Sequence, residues 1–275
     1  MTGRFDPWIG RARVDRERVT PAMLARFLAT IDASPQAGVP QGFHWCLAPP
    51  SVATALLDAD GHPPRGDFLP PVALPRRMWA ASRVEFLNPI APDDALERRS
   101  TVAAVIAKRG ATGDLVFVEI DHLTRTDGAI AVRERQTIVY RGAATAPTPL
   151  PPVITPDLSD WPWRRTVMPG VAMLFRYSAM TFNTHRIHYD LPYATDAEGY
   201  PALVVHGPLT ATLLLDLCAR QLGPDALARF DFRAASPAFV DQPLHLVGRP
   251  EAGAITLAAL GGDGRTVMTA SAIAR

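Results

Sequence analysis

Apolar positions along the chain form two successive series, each with a helical period first and strand-like runs after it. In the first, Met23, Leu24, Phe27, Leu28 and Ile31 recur at spacings of three and four, with Thr20 placed to cap and Pro21 at the first helical position. Beyond Pro75, the segments Arg83–Leu87, Ser100–Ala107, Leu115–Thr124 and Ala129–Tyr140 are rich in β-branched and aromatic residues and predict strands. Asp127-Gly128 marks a tight turn before the last of them. In the second series Pro208 opens a helix whose face is Leu209, Leu213, Leu214 and Leu217, and Gly223-Pro224 stops it. Strands are predicted over Phe230–Ala234, Leu244–Val247, Ala254–Leu260 and Thr266–Ile273, with Asp263-Gly264 as the turn.

The two series also match in detail. Pro89 precedes Asp93 by four residues and Pro237 precedes Asp241 by four, each pair following a Phe-containing strand. Similarity at so long a period points to duplication of one α+β unit, a helix wrapped by an antiparallel sheet. Between the halves, Gly142 to Trp163 is crowded with prolines, which remove hydrogen-bond donors and disfavour helix, so the stretch reads as an extended linker. The division expected is 1–145 for the first unit, 146–163 for the linker and 164–275 for the second unit.

Composition narrows the class. The 275 residues are 48% hydrophobic, enough for a core, and the formal net charge of +1 gives no case for nucleic acid or an anionic membrane as partner. No run of 18 apolar residues occurs, so no spanning helix is expected, and Met1 to Arg18 has no apolar stretch of a secretory signal. The cytoplasm is the expected location. Lys108 is the single lysine; the other cations are arginines, whose planar forks suit phosphates and carboxylates. Cys46 and Cys218 are too few for a disulfide framework, and Cys218, inside the second helical series, reads as a small core residue.

Candidate chemistry is concentrated in Thr181-Phe-Asn-Thr-His-Arg-Ile-His-Tyr-Asp190, followed by His206-Gly207-Pro208 at the start of the second long helix. A histidine near neutrality takes a proton from water and returns one, and an amide such as Asn183 can hold that water. The Gly207 N–H, at a helix start, suits a thioester carbonyl becoming an enolate. Together these are the minimum for hydration beside a carbonyl, with His188 the central group. His185 and His206 read equally well as structural histidines, and Arg186 with Asp190 as a solvated ion pair. His185, His188 and Asp190 would also supply three metal ligands, but the spacing matches no strong motif, and no metal is expected. No nucleophile elbow or phosphate-binding loop is present; Gly261-Gly-Asp-Gly264 lies between strands and reads as a hairpin.

At these residues the sequence resembles the MaoC-like hydratase/dehydratase family. That family carries D-x-N-P-x-H and, later, H-G opening a long central helix; here the Asp position falls on Asn183 and the His on His188, with Val205-His206-Gly207 following. The variant run is similar to that of mesaconyl-C(4)-CoA and itaconyl-CoA hydratases and of yeast-type 3-hydroxyacyl-thioester dehydratases. So are Gly42-Phe-His-Trp45, Asp60-Gly-His-Pro63, Gly66-Asp-Phe-Leu-Pro-Pro71, Leu74-Pro-Arg-Arg-Met-Trp79 and Val139-Tyr-Arg141. The resemblance implies a double hot-dog fold in which the second unit is catalytic and the first shapes the acyl and CoA pocket. It implies a cofactor-free hydro-lyase acting on a coenzyme A thioester, expected to be a C5 dicarboxylic one, and it allows a homodimer. His188 and Asn183 are the expected catalytic pair. Gly207, His206 and His185 are expected around the substrate, and Arg186, Arg76 and Arg77 are the candidates to meet a substrate carboxylate. Because Asn183 is neutral, His188 is expected to act largely alone unless Asp190 approaches it. A fatty-acid-type dehydratase, a non-catalytic acyl-thioester binder and a thioesterase are the rival readings.

Overall fold

The computed structural model describes residues 2–34, 38–110, 113–143 and 146–275. The expected boundary at residue 145 lies outside them. Ten strands form one antiparallel sheet, and each half contributes five. In the first half these are β1 (Ala12–Arg18), β2 (Arg76–Phe86), β3 (Ala95–Gly110), β4 (Gly113–Thr126) and β5 (Ala129–Arg141). The second half gives β6 (Trp163–Val167), β7 (Leu227–Ala234), β8 (Leu244–Glu251), β9 (Ala254–Leu260) and β10 (Thr266–Ala274). The spatial order is β1-β3-β4-β5-β2-β7-β10-β9-β8-β6, so the second half repeats the first about the β2–β7 seam. That seam is antiparallel, pairing Ala81 with Arg233 through Glu85 with Arg229.

The helices are α1 (Pro21–Thr30), α2 (Val171–Met180) and α3 (Gly207–Leu222). Thr20 caps α1 as its sequence foretells, accepting a hydrogen bond from Met23 N at 3.2 Å. The duplication extends to single bonds. Asp93 N donates to Val19 O at 2.7 Å and Asp241 N to Pro169 O at 3.0 Å, each acceptor standing two residues before a helix. Both aspartates are left-handed, at φ 70° and 57°, a conformation their short side chains tolerate. This arrangement is the expected α+β double hot-dog.

Three elements were not expected from the apolar pattern. Strands β1 and β6 are short and charged, and α2 presents Val171 and Phe175 to the surface beside buried Leu174 and Tyr177, which blurs its period. The Pro-rich stretch is extended but not detached: Ile154 N donates to Gly262 O at 2.7 Å and Gln242 Nε2 to Pro151 O at 2.9 Å, strapping it to the second unit.

The units differ in one respect that matters for function. In the second, Leu209, Leu213, Leu214 and Leu217 of α3 are fully buried against the sheet, each stabilising by roughly 1.5–3 kcal/mol. In the first, the described residues between α1 and β2 supply only short 3₁₀ turns, Phe43–Cys46 and Thr54–Leu56. Among the described residues no second central helix fills that sheet, and a cavity of about 1140 Å³ lies there, reaching the start of α3.

Candidate active site

The histidine-rich run begins where α2 ends. Thr181 closes the helix by donating its hydroxyl to Tyr177 O at 2.7 Å, and Phe182 follows with φ 49°, a costly backbone for an aromatic residue. This reversal sends Asn183 to Asp190 back across the second unit. His188 sits at the end of a 3₁₀ turn, Arg186–His188, and is buried. Its Nδ1–H donates to Val204 O at 2.7 Å, which fixes the neutral tautomer and puts the lone pair on Nε2. Burial, with His206 and His185 beside it, holds the imidazole well below its ordinary pKa, so it is an unprotonated base at neutral pH.

His206 stacks on His188, with ring centroids 3.6 Å apart and planes 19° from parallel. Its Nε2 shares a hydrogen bond with Ser178 Oγ at 2.8 Å, and burial, aided by His185, pushes it down to about 3. A neutral ring in this position spaces His188 from α3 and adds no charge. At the helix start His206 O accepts from Thr210 N, Pro208 has no N–H, and Gly207 lines the cavity with its N–H directed to no helical acceptor. A Cβ at Gly207 would meet Trp79 O at 3.6 Å, ordinary contact, so packing does not demand the glycine.

The first unit reaches into this site. Its loop around Gly61 is interlocked with the histidine-rich run: Arg186 N donates to Asp60 O at 3.0 Å, Arg186 NH1 to Ala59 O at 3.0 Å, and Thr184 Oγ1 to Gly61 O. Gly61 has φ 86°, and a Cβ there would stand 1.9 Å from Thr184 O, so no larger residue fits. The interlock sets His62 against His185, with centroids 4.1 Å apart. His62 Nδ1 pairs with Asp60 Oδ2 at 3.0 Å, while His185 Nε2 pairs with Glu198 Oε1 at 3.3 Å. Glu198 in turn accepts from Arg76 Nε at 3.1 Å. Asp60, His62 and His185 bring one donor atom each within 4.8 Å of one another. Each already has a hydrogen-bond partner, and the group reads as a chain of acid–base pairs.

The sequence-derived candidates are thus sorted by position. His188, Asn183, His185, Gly207, Arg76 and Arg77 line the cavity, and His206 lies directly behind His188. Asn183 has a structural duty that sequence reasoning did not foresee: its Oδ1 accepts from His185 N at 3.0 Å and shapes the turn. Arg186 is not a wall of the cavity. Its guanidinium is held by Asp190 at 2.8 Å and lies over the Tyr193 ring at 4.2 Å, because it serves the interlock. The same pairing occupies Asp190, whose other oxygen accepts from Tyr193 N, so Asp190 does not assist His188. The metal trio of His185, His188 and Asp190 is accordingly not assembled. Asp60 and His62 stood out in the sequence only as part of the family-like segment Asp60-Gly-His-Pro63 and were given no role there, and Ser178 and Glu198 carried no signal.

Across the cavity, β3, β4 and β5 present Arg98, Ser100, His122, Glu134 and Gln136 inward. His122 is held by Ser100 at 2.8 Å and Gln136 at 3.1 Å; Glu134 accepts from Trp45 Nε1 at 3.1 Å and Ser82 Oγ at 2.5 Å. These side chains form a bonded polar strip in a lining that also includes Trp79, Ile120 and Ile138.

Comparison with known proteins bears on the family and the fold. Residues 42–240 match the family model described as hydroxyacyl-thioester dehydratase type 2. The curated mesaconyl-C(4)-CoA hydratase of Chloroflexus aurantiacus is 39% identical over 272 residues, 96% of this chain and 95% of that protein. Among solved structures, HtdX of Mycobacterium tuberculosis superposes with a TM-score of 0.72 at 20% identity, over 96% of this chain and 100% of that one. A second Mycobacterium tuberculosis protein, described as a double hotdog fold, gives 0.60 at 13% identity over 97% of this chain and 96% of that one.

Proposed function

The chain belongs to the hydroxyacyl-thioester dehydratase type 2 family, and from that premise we propose that it is a hydro-lyase whose substrate is mesaconyl-C(4)-CoA, hydrated to citramalyl-CoA. The observation that carries this reading is the placing of a neutral His188 and the Gly207 N–H on one cavity. A water against His188 Nε2 gives up a proton as its oxygen attacks the β-carbon. The thioester oxygen, gaining negative charge, is met by Gly207 N–H at the positive end of α3. Nothing beyond the coenzyme A of the substrate is needed.

Of the candidate arginines, Arg76 is assigned to the substrate carboxylate. In mesaconyl-C(4)-CoA that group is carried by the β-carbon itself, so its partner belongs beside the histidines, and Arg76 is tied to His185 through Glu198. Arg77, which donates to Pro63 O at 3.2 Å, is left for the coenzyme A moiety. Itaconyl-CoA is the alternative C5 substrate. No helix among the described residues is long and apolar enough to cross a membrane. Two buried free thiols suit the reducing cytoplasm, where we place the protein.

The test is turnover of a thioester panel: mesaconyl-C(4)-CoA, itaconyl-CoA, crotonyl-CoA and longer 2-enoyl-CoAs. Preference for the C5 dicarboxylic esters is expected. Rates rising with chain length would give the fatty-acid-type dehydratase, binding without turnover a non-catalytic binder, and free thiol a thioesterase.

A further inference from the structure

Hydration needs two proton movements, one away from water and one onto the α-carbon. In this chain the carboxylate that would share the work in the MaoC-like pattern is replaced by Asn183, whose oxygen is taken by His185 N. Asp190 is bound to Arg186. Among the described residues of its own unit, His188 therefore has no carboxylate partner. The first unit brings one. Asp60 holds His62 twice, its Oδ1 accepting from His62 N at 2.9 Å and its Oδ2 pairing with Nδ1 at 3.0 Å. A carboxylate on Nδ1 fixes the ring and stabilises its imidazolium, as the carboxylate of a catalytic triad does.

We propose that His62, oriented by Asp60, is the second acid–base residue of the active site and delivers the α-carbon proton. This rests on the hydratase reading above. Three observations carry it. His62 lines the same cavity as His188, and its Nε2 has no protein partner yet is absent from the buried partnerless polar atoms among the described residues, so it faces open space. The rings of His62, His185, His188 and His206 follow one another at 4.1, 5.4 and 3.6 Å, so both acid–base groups stand in one row. Gly61, with no room for a side chain, and the bonds from Thr184 and Arg186 make the position of His62 a consequence of the interlock and not of a free loop.

His185 also has a carboxylate partner, but the geometry favours His62. Its pair is closer, 3.0 against 3.3 Å, and its side chain is 19% exposed against 6% for His185. Glu198 is further neutralised by Arg76, whereas Asp60 contacts no cation side chain. His185, between the two, keeps them apart. The other charged groups near the loop are Asp58, paired with Arg65 at 3.6 Å, and Arg77, which donates to Pro63 O.

The step balances. His188 Nε2 takes a proton from water, the oxygen bonds to the β-carbon, and the double-bond electrons move into the thioester enolate. As the enolate collapses, His62 Nε2–H protonates the α-carbon. His188 then releases its proton to solvent and His62 regains one, so one water is added and nothing is oxidised or reduced.

The experiment is a pH series of kcat/KM and kcat for hydration of mesaconyl-C(4)-CoA by wild type, His62→Gln, Asp60→Asn and His185→Gln, with circular dichroism on each. In wild type a bell is expected, with the basic limb reporting loss of the acid. His62→Gln should lower kcat by about 10²–10⁴-fold with KM little changed and should abolish the basic limb. Asp60→Asn, which leaves the imidazole in place, should lower kcat less and move the limb to lower pH. Wild-type kcat with an unmoved limb in folded His62→Gln would overturn the inference. So would loss of the limb in His185→Gln alone, or an unmoved limb in Asp60→Asn if His62→Gln does not fold. A wild type that hydrates neither C5 ester would overturn the functional reading and this one with it, whereas an active wild type with an indifferent His62→Gln would overturn this one alone.

Discussion

Lowering the pH should destabilise this protein through the same burial that prepares its base. His206 is 1% exposed and held at a pKa of about 3, against about 6.5 in the unfolded chain. Below 6.5 the unfolded state binds a proton that the folded state refuses, so stability falls as pH drops from 6.5 towards 3. At pH 5 the gap from 6.5 is about 1.5 units, worth about 2 kcal/mol from His206 alone. His188, His44 and His122, each lowered chiefly by burial, act in the same direction. The assay is urea unfolding at pH 7 and pH 5 for wild type and His206→Gln, which keeps a hydrogen-bonding group for Ser178 but cannot be protonated. With a urea m value of about 2 kcal/mol per M, the wild-type midpoint should drop by roughly 1 M or more between the two pH values, and the drop in His206→Gln should be smaller by about 1 M. Equal drops in the two proteins would refute the claim that His206 is buried neutral.

Other outcomes follow from the interlock and the turn. Gly61→Ala places a methyl on Thr184 O at a left-handed position, and it should cost at least about 1–3 kcal/mol and reduce turnover more than a surface mutation of equal destabilisation, as read by urea unfolding beside kcat. Asn183→Ala frees the His185 N–H and should cost about 1 kcal/mol along with most activity, whereas Asn183→Asp keeps the acceptor and should fold normally with the acidic limb of kcat/KM moved to higher pH; equal stability in both variants would remove the turn from the account. Turnover should be unchanged after dialysis against EDTA, and a loss restored by zinc would turn Asp60, His62 and His185 into a metal site.

Much of this architecture was legible because it is written in period and punctuation. The Leu209 to Leu217 face between Pro208 and Gly223-Pro224 predicts α3 almost to the residue, and the paired Pro-Asp turns announce the duplication. What was hidden depends on contacts between the halves. Short charged strands such as β1 have no apolar signature, since their worth lies in pairing with β3. The missing central helix of the first unit is an absence, which no pattern marks. Arg186 looked like a substrate ligand because an exposed cation beside catalytic histidines is attractive in one dimension; in three it faces the Ala59 to Gly61 loop. His62 looked ordinary for the complementary reason, lying more than a hundred residues from the run it joins. Asp60-Gly-His62 stood out only as part of a family-like segment, in a turn that needs its glycine.

The central claim is that His188, kept neutral by burial and with Nε2 open to the cavity, activates water for addition to a coenzyme A thioester. It is tested most directly by mixing mesaconyl-C(4)-CoA with wild type and with His188→Ala and following product mass over time. The account predicts an ester heavier by one water from wild type and a rate lower by about 10²–10⁴-fold from the folded variant. A folded His188→Ala protein that forms the hydrated ester at the wild-type rate would contradict it.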